Sequence, residues 1–418
     1  MWGLASDILL PMDKIFSLIK AEEKRQRETL MMIPSENYSS KEVRKASGSV
    51  LAHKYSEGYP GRRYYQGNKF IDEIENLAIE RAKKLFGVPH VNVQPYSGSP
   101  ANAAVYMGLL EPKDTIMGLA LASGGHLTHG HPKITFSGKY FNSVQYGVDK
   151  NGFIDYKDLA RLARKHKPKL IVAGTTAYPR ILDWKRFAKI ADSVGAILMA
   201  DIAHISGLVV AGAHPSPVPY AHVVTTTTHK TLRGPRGALI MVTKKGLRRD
   251  PDMAKKIDRA VFPGLQGGPH NHQTAAIAVC LNEATSAAFK NYGRKVVENA
   301  KVLASELMRS GFDLVSGGSD NHLMLVDLRS KNVLGKPTAE LLEEAGIIVN
   351  YNAIPNDPNP PMNPSGLRIG TPALTSRGMG VSEMKKIAGW INEVVGNPKS
   401  AKKVKEEVKK LCKRFPVL

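Results

Sequence analysis

The chain has 418 residues, 42% hydrophobic and 23% charged, which excludes a disordered polymer and provides for one large core or two moderate ones. Lysine and arginine number 59 against 37 acidic residues, a formal net charge of +22 that makes anionic partners a question to be answered. Two cysteines, Cys280 and Cys412, exclude a disulfide framework or thiolate zinc cluster and fit a reducing interior, while apolar stretches such as Gly195–Gly212, broken by Asp201 and His204, fall short of the roughly 18 to 20 residues of a membrane span.

In chain order, Ile8–Met12 is apolar but short, and Asp7 stands where an export signal carries positive charge, so a soluble, cytoplasmic protein is expected. Small residues over 101–110 predict a helix. Strands and helices then alternate: a helix over 155–166, with Leu159, Leu162 and Ala163 at helical spacing, a buried strand over 169–174, a helix over 184–194, a strand over 196–200 and the β-branched strand 223–228. A strand over 237–243 and a charged helix over 251–260 follow. This βαβ rhythm predicts an α/β fold, with a mainly parallel sheet between helices. Ala275–Tyr292 reads as one long helix without a turn signal, continuing after Gly293 as Lys295–Arg309. Beyond it, a strand over 322–328, a helix over 338–345 and a strand over 347–350 form a smaller α+β unit. The five prolines of 354–364 make that stretch a loop, and 399–414, with Val404, Val408 and Leu411, is an amphipathic surface helix. The expected organisation is an N-terminal helical arm over 1–30, a large domain over 31–280 and a small C-terminal domain over 281–418.

Chemistry concentrates at a few segments. The run from His222 through four threonines to His229 and Lys230 is a strand that ends in a lysine. In an α/β sheet that end faces the ligand crevice, and burial there lowers the amine's pKa toward the neutral form that makes a Schiff base; a loop lysine reaching solvent is the plainer use. Ala196–His204 is an apolar strand ending in Asp201. A carboxylate beneath a ring nitrogen keeps that nitrogen protonated, although a capping aspartate would look the same; the two strand ends together favour pyridoxal 5'-phosphate (PLP), held by the large domain. Ser97, Gly98 and Ser99 precede the helix over 101–110 and offer hydroxyls and amides to a phosphate, or an ordinary N-cap. His126, His129 and His131 resemble a metal triplet, but no further ligand accompanies them; no metal is expected, and stacking on a cofactor face is the better use of His126. The turn-rich segment Tyr55–Tyr65 offers Glu57 for proton transfer beside phenols that can orient it, or a solvated turn. Arg368, in a short strand bounded by glycines, suits a bidentate grip on a substrate carboxylate or a surface ion pair.

Together these segments resemble the serine hydroxymethyltransferases, fold-type I PLP-dependent transferases, over about Ile15–Val417. The carrying stretches are Pro34–Tyr38, Lys54–Tyr65, Asn92–Ser99, Gly124–Gly130, Thr225–Lys230, Gln266–Pro269 and Gly366–Pro372. The resemblance implies reversible transfer of the serine hydroxymethyl group to tetrahydrofolate, giving glycine and 5,10-methylenetetrahydrofolate through aldimine and quinonoid intermediates. It implies that Lys230 bears the cofactor, Asp201 pairs with its ring nitrogen and His126 stacks on the ring, with Thr176 and His204 near the phenolic oxygen and Thr227 and His229 beside the lysine. Ser97, Gly98 and Ser99 would hold the phosphate, joined by Tyr55 and Gly267 of a neighbouring subunit. Arg368 and Ser35, with a neighbour's Tyr65, would fix the substrate carboxylate, and a neighbour's Glu57 would carry the proton. Leu121, Gly125, Leu127 and Asn352, with Tyr64 and Glu57, fall at the pterin site. A homo-oligomer, at least a dimer with shared sites, follows.

The sequence departs from the family's pattern at Pro34, His53, Gln66 and Tyr351, none of them assigned to bond making. A folate-independent PLP aldolase or an aminotransferase would share the Asp and Lys strand ends, but lacks a reason for the pterin-site residues and the Glu57 segment. The positive charges are scattered and carry no aromatic-interleaved basic strip, so no specific nucleic-acid binding is expected; attraction of anionic PLP and polyglutamylated folate is the alternative use of the charge.

Overall fold

A computed structural model describes residues 13–417; residues 1–12 of the expected arm, Ile8–Met12 among them, lie outside the described residues. Seven strands form the central sheet: β1 His90–Asn92, β2 Thr115–Leu119, β3 Asn142–Tyr146, β4 Leu170–Gly174, β5 Ile197–Asp201, β6 Val223–Thr227 and β7 Ala238–Val242, in the order β1-β7-β6-β5-β4-β2-β3. From β6 to β3 all pairings are parallel, whereas β7 runs antiparallel to both β6 and β1. The reason is the connection 228–237: a parallel return needs about a dozen or more residues and usually a helix, and this turn is too short. Successive residues along each strand enter opposite cores. Met117, Ile171, Leu198, Val224 and Leu239 face one layer of helices, while Ile116, Val172, Met199, Val223 and Ile240 face the other. Burial on both faces accounts for the unbroken apolar runs read in the sequence.

The long helical stretch differs from its expected form. It is two helices, Asn271–Glu283 and Ala287–Arg309, and the break lies at Ser286, whose hydroxyl accepts a hydrogen bond from Phe289 N at 3.1 Å. Gly293 does not interrupt the second helix; a Cβ there would lie 2.2 Å from that of Ala211, so the glycine permits close packing. This helix gives Phe289, Tyr292 and Val296 to the first core and Ala300, Leu303, Ala304 and Leu307 to a second one.

The second core backs a four-stranded antiparallel sheet of β8 Asp313–Leu314, β9 Leu323–Asp327, β10 Asn350–Asn352 and β11 Gly366–Gly370, in the order β8-β9-β11-β10. The stretch read as one strand over 347–350 is divided: Ile347–Ile348 pairs in parallel with Leu30–Met31, and Asn350–Asn352 pairs with β11. Leu30 and Met32 thereby join the second core from the other end of the sequence. The helix Lys14–Glu28 precedes them, and Ala401–Arg414 buries Val404, Val408 and Leu411. None of the described helices is long and apolar enough to cross a membrane.

Candidate active site

The C-terminal ends of the parallel strands open on a cavity of about 500 Å³. Asp201 is the last residue of β5. Lys230 follows the end of β6 in the short turn, which is pinned by Gly234 N to Thr228 O at 2.7 Å and by Asn37 Nδ2 to Lys230 O at 3.0 Å. The Lys230 ammonium donates to Thr227 Oγ1 at 3.0 Å. Burial pushes its pKa down to about 8, with Arg236 and Arg368 adding to the shift and Asp201 opposing it.

Asp201 is the electrostatic floor of the cavity. Its Oδ2 accepts from Asn102 Nδ2 at 2.9 Å and His129 Nε2 at 3.0 Å, and its Oδ1 from Ala203 N at 3.0 Å. Burial alone would raise its pKa; the bonds from His129 and Asn102 outweigh that and hold the carboxyl well below its usual range. His129 Nδ1 accepts from His126 N at 3.3 Å, which leaves the ring proton on Nε2, aimed at Asp201. That nitrogen is therefore occupied in a way no metal ligand could be.

Burial keeps three further imidazoles of the cavity, those of His126, His204 and His229, neutral. His126 is lowered to about 4, chiefly by burial, and its Nδ1 accepts from Thr128 N at 3.2 Å. His229 is lowered to about 3 by burial and then by Lys230, and its buried Nδ1 has no partner among the described residues. Burial likewise drives His204 well below its ordinary value; its Nδ1 lies 3.2 Å from His322 Nε2. A cavity holding lysine and arginine disfavours further positive charge, so uncharged rings are the ones that can lie against an aromatic ligand.

Arg368, on β11, reaches the cavity from the smaller sheet. Its Nη1 donates to Thr176 O at 2.8 Å and its Nε to Asn350 Oδ1 at 3.1 Å; burial lowers it to about 10, so it remains charged at neutral pH. On the opposite wall, Ser97 is the N-cap of the helix Gly98–Leu109 yet makes no side-chain capping bond, so its hydroxyl and the first amides remain available. A Cβ on Gly98 would stand 2.8 Å from Thr227 Cγ2.

Of the residues singled out in the sequence, Lys230, Asp201, His126, His229, Thr227, Thr176, His204, Ser97, Gly98, Ser99, Ser35, Arg368, Leu121, Gly125 and Leu127 line this one cavity. Tyr55, Glu57, Tyr64, Tyr65, Gly267 and Asn352 do not. The first five gather elsewhere on the chain: Tyr55 and Tyr65 have ring centroids 5.2 Å apart, Tyr64 is 75% exposed, and a Cβ on Gly267 would lie 3.1 Å from Glu57 Oε1. Asn352 sits on β10, its Nδ2 donating to Ala353 O at 2.6 Å. Sequence reasoning missed Asn102, Glu36, Thr175 and Arg236, which also line the cavity, and saw His129 only as part of a histidine triplet. Asn102 stands on the helix that Ser97 caps, which was the available signal.

A neutralisable lysine, a buried ionised aspartate one strand away, a helix N-terminus without a side-chain cap and a buried, charged arginine from the second sheet, gathered at the strand ends of this α/β fold, fit a PLP-dependent enzyme of fold-type I. The free Ser97 hydroxyl, the side-chain-free Gly98 and the ionised Asp201 fit that cofactor. A profile described as serine hydroxymethyltransferase matches residues 11–391. Serine hydroxymethyltransferases of Acidothermus cellulolyticus and Desulfotalea psychrophila are 59% and 55% identical, each over 96% of this chain and over 95% and 94% of their own. That of Sorangium cellulosum is 56% identical over 96% of this chain and 94% of its own. The chain belongs to the serine hydroxymethyltransferase family.

Proposed function

We propose that this cavity works with Lys230 as the cofactor-bearing amine, Asp201 as the counter-charge to the ring nitrogen and Arg368 as the carboxylate clamp. The reaction is the reversible transfer of the serine hydroxymethyl group to tetrahydrofolate, giving glycine and 5,10-methylenetetrahydrofolate, with PLP as cofactor. When bound, the cofactor supplies a conjugated ring that accepts the electron pair left on the substrate Cα.

The residues do the rest. Ser97, Gly98 and Ser99 would hold the cofactor's phosphate, neutral His126 would lie against its ring, and Thr176 and His204 would be the groups nearest its phenolic oxygen. Arg368, Ser35 and Tyr65 fix the substrate carboxylate while Lys230 and its turn, with Thr227 and His229, govern the amine end. With both ends of the substrate held, one rotation remains at Cα, and it would decide which bond breaks; for serine that bond is Cα–Cβ. Glu57 carries the proton at the hydroxymethyl oxygen or the folate, and Leu121, Gly125, Leu127, Tyr64 and Asn352 line the pterin site. Because Tyr55, Glu57, Tyr65 and Gly267 cluster away from their own chain's cavity, a second copy supplies them, and the working unit is at least a dimer. A reducing, cytoplasmic setting belongs to the same reading, supported by two free, buried cysteines.

The observation that carries the assignment is that the Lys230 and Asp201 side chains line one cavity with Arg368. Borohydride reduction of the holoenzyme followed by peptide mapping tests it: the added mass is expected on Lys230, and a different lysine would overturn it. Mixing Lys230→Gln with Glu57→Gln subunits, each inactive alone, is expected to restore activity; no recovery after verified subunit exchange would refute shared sites.

A further inference from the structure

The segment that carries Tyr55, Glu57, Tyr64 and Tyr65 rests on one buried arginine, and we infer that Arg63, with Glu75 and Gln94, positions Glu57 for hydroxymethyl transfer. The inference rests on the reading of Glu57 as proton carrier. Arg63 Nη1 donates to the carbonyls of Ser56 and Gly58, each at 2.8 Å, so the backbone on both sides of Glu57 ends on one guanidinium. Its Nε donates to Asp72 Oδ1 at 2.8 Å and its Nη2 to Glu75 Oε2 at 2.6 Å. The side chains of Arg63 and Glu75 are each 3% exposed. Gln94 completes the cradle, its Nε2 donating to Glu75 Oε1 at 2.8 Å and to Gly58 O at 3.0 Å. Gln94 O in turn accepts from Gln266 Nε2 at 2.9 Å, which ties the strip bearing Gly267 to the strip bearing Glu57.

A buried ion pair adds little net stability over an apolar pair of the same volume, but four of the five guanidinium donors have acceptors here, and together they specify one backbone geometry. A guanidinium fixes its donors in a plane, whereas a lysine in its place would keep the charge and lose the fork that grips two carbonyls and two carboxylates at once. Among the described residues no hydrogen bond holds the Glu57 carboxylate itself, so its aim follows from the backbone that carries it. Misplacing a reacting group by about 1 Å is enough to cost on the order of 100-fold in rate.

The test is a double-mutant cycle on the holoenzyme: Arg63→Lys, Glu57→Gln and the pair, with serine KM, transfer turnover, cofactor absorbance and thermal midpoint measured for each. Arg63→Lys is expected to lower turnover by roughly 10-fold or more with serine KM changed by less than about 2-fold, and to have almost no effect in the Glu57→Gln background, because two residues acting through one group are not additive. Losses that multiply, or an unchanged turnover in Arg63→Lys, would overturn the inference. An undiminished turnover in Glu57→Gln would instead overturn the reading of Glu57. If Arg63→Lys does not fold, Gln94→Met, which removes one of the two donors to the Gly58 carbonyl and leaves the Arg63–Glu75 pair in place, runs the same cycle with the same two outcomes.

Discussion

His129 donates its Nε2 proton to Asp201 Oδ2 across 3.0 Å, and both side chains are nearly closed to solvent, 1% and 12% exposed. A histidine that looks like part of a metal triplet in the sequence is thus the partner that keeps the cavity's carboxylate ionised. His129→Phe removes that bond, so the Asp201 pKa rises toward the value its burial dictates. The acid limb of the turnover profile should move to higher pH, with turnover at neutral pH reduced on the order of 10-fold, as for other partners that orient a functional group. An unshifted acid limb would count against this role.

Lys230 gives a pH-dependent stability with a defined sign. Its folded-state pKa, about 8, lies below its ordinary 10.5, so between those values the unfolded chain binds more protons and stability rises with pH. Below pH 8 the cost of burying the ammonium is fully present, about 3 kcal/mol. In the cofactor-free protein, Lys230→Met should therefore raise the thermal midpoint at pH 7, and the gain should shrink by pH 10. An equal gain at both values would contradict the burial argument.

Arg368 remains charged despite burial, and its remaining donors suit a carboxylate. Arg368→Lys loses the fork, and the serine KM should rise roughly 10- to 100-fold, the equivalent of one charged hydrogen-bond pair. Titration with serine at fixed folate measures this directly; an unchanged KM would remove Arg368 from the carboxylate site.

Gly98→Ala would bring a methyl group to 2.8 Å from Thr227 Cγ2 and narrow the helix N-terminus. Cofactor retention during dialysis should fall on the order of 10-fold, since Thr227 can make room only by rotating its hydroxyl away from Lys230. Equal retention would separate this glycine from the phosphate.

Arg377 is 5% exposed and has no carboxylate partner among the described residues; it donates instead to the carbonyls of Thr29 at 2.8 Å, Arg27 at 3.1 Å, Cys412 at 3.0 Å and Phe415 at 2.6 Å. A cation there caps the C-terminal ends of Lys14–Glu28 and Ala401–Arg414 together. Arg377→Met should cost about 2–4 kcal/mol in a denaturant melt, with turnover of the folded enzyme intact. A melt indistinguishable from the parent would show that the carbonyls find water instead.

Much of the central sheet was legible because its strands are short, β-branched and buried on both faces, a local signal that ends sharply at Asp201 and just before Lys230. The antiparallel course of β7 was also implicit in the length of the 228–237 turn, and the break at Ser286 in an N-cap residue passed over in favour of Gly293. Gly293 could be read only with Ala211 in view, because the close approach it permits belongs to two helices distant in sequence.

By itself the amino-acid order determined the α/β class and the two strand ends that carry the lysine and the aspartate, since each depends on neighbours a few positions away. Only the tertiary structure decided that Asn102 and His129 hold Asp201, that Arg368 crosses from the second sheet to the cavity, that Leu30 packs beside Ile347, and that Arg63 grips both flanks of Glu57. Those relationships are hydrogen bonds and contacts between residues far apart along the chain, and they come into being only when the buried faces close and leave each polar group to find its partner without water.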